Sequence, residues 1–403
     1  MVLQRHDHRG KAVLEFTLDD VGYLTSDEGG DALADVDGLI AHAAGAQLAD
    51  IAAVRTRYGA RAPILVETVL LRRKAAPKLP GTQGWLFTDE ALQQSTAAPV
   101  AAHRAARLAG RTVHDATCSI GTELAALHRG AAAVVGSDLD PVRLAMARHN
   151  LGGAVALCRA DALMPITRDD TVVIADPARR SGGRRRFDPR DYSPPLDALL
   201  AAHRARQLVV KCAPGIDFDS LAQLGFAGEV EVTSWAGSVR EACLWPAALT
   251  DRGITRRATI LERGEQVTDA DPDHCPTGRP GRWIVDPDGA VVRAGLVRHY
   301  GARHGLWQLD PDIAYLTGDT LPAGVRGFEV LEELAFREKT LRQALSALDC
   351  GPLEILVRGV AVDPDELRRR MRTRGGTSLS VVLTRIGTGT GARATAFICR
   401  SSR

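Results

Sequence analysis

Lysine is almost missing from this chain: of 51 basic residues only five, Lys11, Lys74, Lys78, Lys211 and Lys339, are not arginine. Beside so much alanine and glycine, that bias follows genomic base composition rather than a need for guanidinium chemistry, so arginine clusters carry less weight than usual. Aromatics are 4% of residues. Few platforms are left for stacking bases, and any nucleic-acid affinity has to be mostly electrostatic. The seven cysteines, Cys118, Cys158, Cys212, Cys243, Cys275, Cys350 and Cys399, are odd in number and form no C-x-x-C pair. That pattern argues against a disulfide framework and a zinc knuckle and fits a reducing cytosol. The eleven histidines lack metal-ligand spacing; His299 and His304, five apart, fall on different helix faces. No uncharged apolar run is long enough to span a bilayer, and no apolar segment follows the charged first residues. A soluble cytoplasmic protein is expected. Absence of G-x-x-x-x-G-K-[ST] and of G-x-S-x-G removes support for an NTPase or an α/β-hydrolase.

What is present is ordinary globular composition: 45% hydrophobic and 25% charged residues over 403 positions, enough for two or three domains. The net charge of +2 announces no global field. Helical periodicity runs through residues 16–109, interrupted by the Pro/Gly stretch 76–81. From residue 111 short β-branched runs alternate with helical stretches, at 112–115, 133–138, 155–158, 171–176 and 208–212. Such alternation predicts right-handed βαβ crossovers and a mostly parallel sheet, with runs 229–234 and 239–245 as a hairpin on its edge. After residue 249 a loop-rich stretch leads to helices near 294–304 and 336–348 and strands near 353–357, 378–385 and 393–399. Asp363, Pro364 and Glu366 form a strong helix start among them. The expected domains are a helical one at 1–95, an α/β one at 96–250 and an α+β one at 251–403.

Chemistry concentrates at the ends of four successive strands. The first runs into Asp115-Ala116-Thr117-Cys118-Ser119-Ile120-Gly121, a small-residue turn that lets backbone N–H groups approach a ligand. Asp138 ends the second strand, 17 positions past Gly121, where an acid takes ribose hydroxyls. Asp161 follows the third strand and Asp176-Pro177 the fourth. Any one of these is explained as a helix N-cap. Four together at one sheet edge point to a ligand site. The turn has one glycine rather than G-x-G-x-x-G, and Asp115 would face a dinucleotide's pyrophosphate with the wrong charge. It suits a ligand with a cationic amino-acid end.

These residues resemble the class I S-adenosylmethionine-dependent methyltransferases, a Rossmann-like fold. The resemblance implies that Asp115, Ser119 and Gly121 hold the cofactor's amino-acid end. Asp138 would bind its ribose, and Leu139, Asp161 and Ala162 its adenine. Asp176-Pro177-Ala178-Arg179 sits where nucleic-acid methyltransferases carry Asp/Asn-Pro-Pro-aromatic, with Arg179 replacing the aromatic and Ser119 replacing a usual glycine. Lys78-Leu79-Pro80, Trp85-Leu86-Phe87 and the stretch from Gly281 to Arg400 resemble a bacterial group with a C-terminal THUMP-like domain. Asp-Pro-x-Arg also resembles the RNA uracil-C5 methyltransferases, which use a cysteine after the fifth strand. Cys212 in Lys211-Cys212-Ala213-Pro214 is the matching position, its thiolate to be favoured by Lys211.

An RNA partner is the resulting expectation, by two basic patches. Arg179, Arg180, Arg184, Arg185 and Arg186 flank the transfer site, and Arg368, Arg369, Arg370, Arg372 and Arg374 lie on and after the Asp363 helix. No metal is required. Two alternatives remain open at this point: a methyltransferase acting on a protein or small molecule, and a non-catalytic RNA-binding protein whose Ser119 and Arg179 mark a decayed site.

Overall fold

The computed structural model describes residues 4–6, 12–40, 48–178, 180–181, 184–185, 188–387 and 389–402. Two compact units emerge, Met1–Glu229 with Arg240–Asp251, and Val230–Val239 with Arg252–Arg403.

After a short antiparallel ladder of Gln4–His6 with Ala12–Leu14, the first unit continues with helices α1 (Leu18–Leu24), α2 (Asp27–Leu39), α3 (Leu48–Tyr58), α4 (Ala62–Ala75), α5 (Asp89–Gln94) and α6 (Ala98–Arg107). Their starts are written in the sequence. Thr17 and Asp20 exchange side-chain and backbone hydrogen bonds in a capping box (3.0 and 3.2 Å), and Ser26 and Thr88 cap α2 and α5. The helical residues do not form a core of their own. Val36, Ile40, Leu65 and Phe87 share one apolar cluster with Ile120 and Met146, each buried side chain contributing about 1.5–3 kcal/mol. The boundary expected at residues 95/96 therefore falls inside one unit. Asn150 adds a polar clamp: its Oδ1 accepts the Leu86 N–H (2.7 Å), and its Nδ2 donates to the carbonyls of Leu86 and Ile120 (both 3.0 Å).

The α/β part follows the expected alternation: β1 (Thr112–Asp115), α7 (Thr122–Leu127), β2 (Ala133–Asp138), α8 (Pro141–Asn150), β3 (Ala156–Arg159), β4 (Val172–Ala175), α9 (Leu196–Ala202), β5 (Leu208–Cys212) and α10 (Phe218–Gln223). Then come β6 (Gly228–Trp235) and β7 (Ser238–Pro246), separated by Ala236 and Gly237, both with positive φ (53° and 64°). Within this unit the sheet order is β7-β5-β4-β1-β2-β3. Strands β1 to β5 pair in parallel, and β7 joins β5 antiparallel. Order reverses between β1 and β4, so the carboxyl edge there opens as a crevice.

In the second unit β6 pairs in parallel with β8 (Arg256–Ile260), which pairs antiparallel with β9 (Glu265–Thr268). Next come β10 (Trp283–Val285), α11 (Gly289–Arg293), α12 (Val297–His304), β11 (Trp307–Asp310), β12 (Ile313–Gly318), β13 (Gly327–Ala335), α13 (Glu338–Ala347), β14 (Cys350–Arg358), α14 (Pro364–Met371), β15 (Thr377–Ile386) and β16 (Arg393–Ser401). Seven of these strands form one sheet, ordered β11-β12-β10-β13-β16-β15-β14. The stretch 251–287 expected to be loops holds β8, β9 and β10, and β11 to β13 were not foreseen. These strands are short or turn-bounded, and only pairing with distant partners makes them strands. The predicted start of α14 is present: the Glu366 N–H donates to Asp363 Oδ1 (2.8 Å), with Pro364 at the first position. Among the described residues no helix is long and apolar enough to cross a membrane.

Candidate active site

The β1–α7 loop sets the geometry. Gly121, the N-cap of α7, has φ 89°, and a Cβ there would stand 3.0 Å from Leu151 Cδ1. Both strain and crowding select glycine. Ser119 also sits in the left-handed region, φ 49°, an unusual place for a residue with a Cβ. Its N–H donates to Asp138 Oδ2 (2.9 Å), while the Asp140 N–H donates to Asp138 Oδ1 (2.9 Å). Both Asp138 oxygens are thereby aimed, and each keeps a lone pair for a further donor. Asp140 caps α8, accepting from the Val142 N–H (2.8 Å).

A cavity of about 480 Å³ opens at this sheet edge. Asp115, Ser119, Asp138, Leu139, Asp161, Ala162 and Asp176 all line it. Leu139 is 57% exposed, an apolar wall that a flat base would cover. Asp161 Oδ1 accepts the Leu163 N–H (2.9 Å), and the Ala162 carbonyl contacts His203 Nε2 (2.8 Å), a buried ring. Carboxylates for a ribose and a cationic end, together with an apolar face for adenine, make the residues present fit S-adenosylmethionine.

Beneath the cavity lies a chain of buried charges that reading the sequence missed. The Lys211 ammonium donates to Asp176 Oδ2 and stands 4.0 Å from Glu123 Oε2. Glu123 in turn accepts from Arg104 Nε (2.7 Å) and one terminal guanidinium nitrogen (3.0 Å), and another binds Glu241. Burial would pull the Lys211 and Arg104 pKa values down. The carboxylates around them outweigh it and raise both, so they are charged. The Asp176 N–H also donates to Thr117 Oγ1 (2.7 Å), which fixes the strand end beside the cavity. Asp115 is driven the other way. Its burial, then the charge of Glu123, push its pKa up to about 7 against the opposing Thr117 N–H and Lys211.

Three sequence-derived candidates do not line the cavity. Gly121 shapes the loop whose Ser119 and Thr122 do. Cys212 is 1% exposed and does not line it, for a geometric reason: neighbours on a strand point to opposite faces, and Lys211 takes the cavity side. Pro177 lies behind the lining, next to Ala178, which does line it. Arg179 and Arg186 lie outside the described residues, while Arg180 pairs with Arg185 in a short backbone ladder that includes Arg184. Gln94, Ser95 and Thr96, at the end of α5, complete one wall. Their only sequence signal was the nearby Lys78, whose ammonium donates to the Leu92 carbonyl (2.8 Å) and ends α5 there. Lys211 had a readable signal as well, being a lysine kept in an arginine-using chain at a strand's carboxyl end.

Comparison with known proteins gives the family. Residues 325–401 match the model of the THUMP domain-like family. Two Mycobacterium tuberculosis chains, from strains CDC 1551 / Oshkosh and ATCC 25618 / H37Rv, are each 67% identical over 359 residues, covering 87% of this chain and all of theirs. Both are described as uncharacterized S-adenosylmethionine-dependent methyltransferases. A solved structure from Porphyromonas gingivalis W83, described as a candidate methyltransferase, superposes with a TM-score of 0.73 at 19% identity, over 96% of this chain and 100% of that one. That likeness extends the fold across nearly the whole length. The chain belongs to the S-adenosylmethionine-dependent methyltransferases and carries a THUMP-like domain at residues 325–401.

Proposed function

We propose that this enzyme methylates RNA in the cytoplasm, with the acceptor base presented to Asp176. The observation that carries the reading is the loop after β4. Backbone hydrogen bonds between Ala178 and Ser193 (2.8 and 3.0 Å) close its neck, and both residues line the cavity beside Asp176. The sequence between those two residues carries Arg179, Arg180, Arg184, Arg185 and Arg186, a residue type that binds phosphate. The THUMP-like domain supports the same substrate class.

Bound S-adenosylmethionine supplies an electrophilic sulfonium methyl group. Asp176, oriented by Lys211 and Thr117, accepts a hydrogen bond from the acceptor group, and orientation of the two reactants supplies most of the rate gain. Cys212 takes no covalent part in this reading. The test is transfer of labelled methyl groups from S-adenosylmethionine to total RNA and total protein of a deletion strain. Label in RNA is expected, lost in Asp176→Ala and kept in Cys212→Ala. Label confined to protein, or to small molecules, overturns the proposal.

Cofactor affinity should depend on pH through Asp115. Its carboxyl, with a pKa of about 7, is protonated below neutrality, and a cationic ligand favours the ionised form. Binding at acid pH must therefore expel a proton, and Kd falls as pH rises toward 7 and then levels. Between pH 6 and 7.5 the expected gain is about eightfold, by proton linkage at one site. Titration calorimetry of wild type and Asp115→Asn checks this. The variant's profile should be flat over that range.

A further inference from the structure

The second unit has a cavity of its own, about 780 Å³, at the ends of α13 and α14. Arg342, Arg372 and Arg374 line it with Asp349, Cys350, Met371 and Thr373. All three arginines are exposed, and no ion pair to a carboxylate is recorded for any of them among the described residues. That sets them apart from Arg368 and Arg370 on α14. Arg368 is paired with Asp365 (2.7 Å), and Arg370 with Glu366 (2.7 Å) and Glu338 (3.1 Å). Arg369 points its Nε toward the Asp365 carbonyl (3.4 Å).

Backbone conformation marks the same place. Both helices flanking the cavity end in a non-glycine residue in the left-handed region, Asp349 at φ 51° and Arg372 at φ 52°. Asp349 has a local reason, since its Oδ2 accepts the Gly376 N–H (3.1 Å) and shapes the loop opposite. Arg372 has none of that kind. A helix end that would take glycine at no strain holds an arginine instead, and that residue lines a concavity together with two more arginines. The cavity carries three cationic groups against the single carboxylate of Asp349.

We infer that Arg342, Arg372 and Arg374 form a phosphate-binding pocket for a single-stranded RNA segment, and that the paired face of Arg368 and Arg370 is not the contact. The inference rests on the RNA reading above and assigns it a site in the THUMP-like domain. Concavity selects the strand form: a duplex presents its phosphates on a convex cylinder, whereas a splayed strand can enter a pocket.

The experiment measures binding of the full-length enzyme to a fluorescent single-stranded RNA of about 20 nucleotides over a salt series. Arg342→Ala, Arg374→Ala and Arg372→Gly are each expected to weaken binding about three- to tenfold, and the triple variant about 100-fold. Three lost phosphate contacts should make the log–log salt slope shallower by about 2. Arg372→Gly gives a second readout that a structural arginine would not. Relieving the left-handed strain should leave the melting temperature equal to wild type or higher while RNA affinity falls. A triple variant that binds with wild-type affinity and slope, or Arg368→Ala weakening binding as much as Arg374→Ala, overturns the pocket and leaves the RNA reading standing. Wild-type enzyme that binds no RNA overturns both.

Discussion

Asp138→Ala is expected to weaken S-adenosylmethionine binding about 100-fold. The carboxylate does two jobs. Inward, it accepts the N–H groups of Ser119 and Asp140, each at 2.9 Å, and so holds the left-handed turn of the β1–α7 loop against the start of α8. Outward, Asp138 lines the cavity, where its remaining lone pairs would accept from the ribose hydroxyls of the cofactor in the proposed assignment. Hydrogen bonds to a charged acceptor contribute about 1.5–3 kcal/mol each. Loss of two hydroxyl contacts, partly offset by water, leaves about 3 kcal/mol, or two powers of ten in Kd. Two backbone N–H groups also lose their acceptor, so thermal stability should fall as well. Titration calorimetry and thermal denaturation read the two effects separately. An alanine variant binding within about threefold of wild type would remove Asp138 from the ribose site.

The part of this site that lies on single strands was legible in the sequence. The first four β-branched runs each end in an aspartate or are followed by one within three residues, and parallel strands bring successive carboxyl ends to one edge, so Asp115, Asp138, Asp161 and Asp176 could be assembled without coordinates. Ser119 at positive φ was legible too, because the turn needs a left-handed residue there whatever its side chain. The charge network underneath was not. Arg104 and Glu241 are 137 positions apart and meet only because α6 packs against the far edge of the sheet. No local pattern encodes that.

Two readings meet local geometry that was already in the sequence. Lys211 and Cys212 are adjacent on a strand and face opposite ways, and only Lys211 lines the cavity. Arg368 and Arg370 were read as a free basic patch, although Asp365 and Glu366 stand three and four positions before them on the same helix, where pairing is expected. Glu338, the other partner of Arg370, comes from α13 and was out of reach of such reasoning. Strands β8 to β13 were missed for the reason Arg104 was: short runs between turns become strands through partners far along the chain.

Arg104→Met is expected to destabilise the first unit by about 3–5 kcal/mol, the usual effect of removing one member of a buried ion pair. Arg104 is 1% exposed and is the cation that Glu123 and Glu241 share. Methionine fills similar volume, so packing changes little and the effect is electrostatic: two carboxylates remain out of water with one counter-charge fewer. Lys211 cannot replace it, because its ammonium is engaged by Asp176 and lies 4.0 Å from Glu123. Against a typical total of about 5–15 kcal/mol the loss should be plain in urea unfolding, as a lower midpoint with unchanged slope. Replacing all three members, Arg104→Met with Glu123→Gln and Glu241→Gln, should recover most of the stability, since no charge is then left unpaired. Methyl transfer should not recover with it. Glu123 lines the cavity beside Asp115, Asp176 and Lys211, and without the charges of Glu123 and Glu241 Lys211 keeps only Asp176 of the three carboxylates that raise its pKa. A triple variant restored in both stability and activity would show that the network supports only the fold. Stability restored without activity assigns it to holding Lys211, and through Lys211 the carboxylate of Asp176.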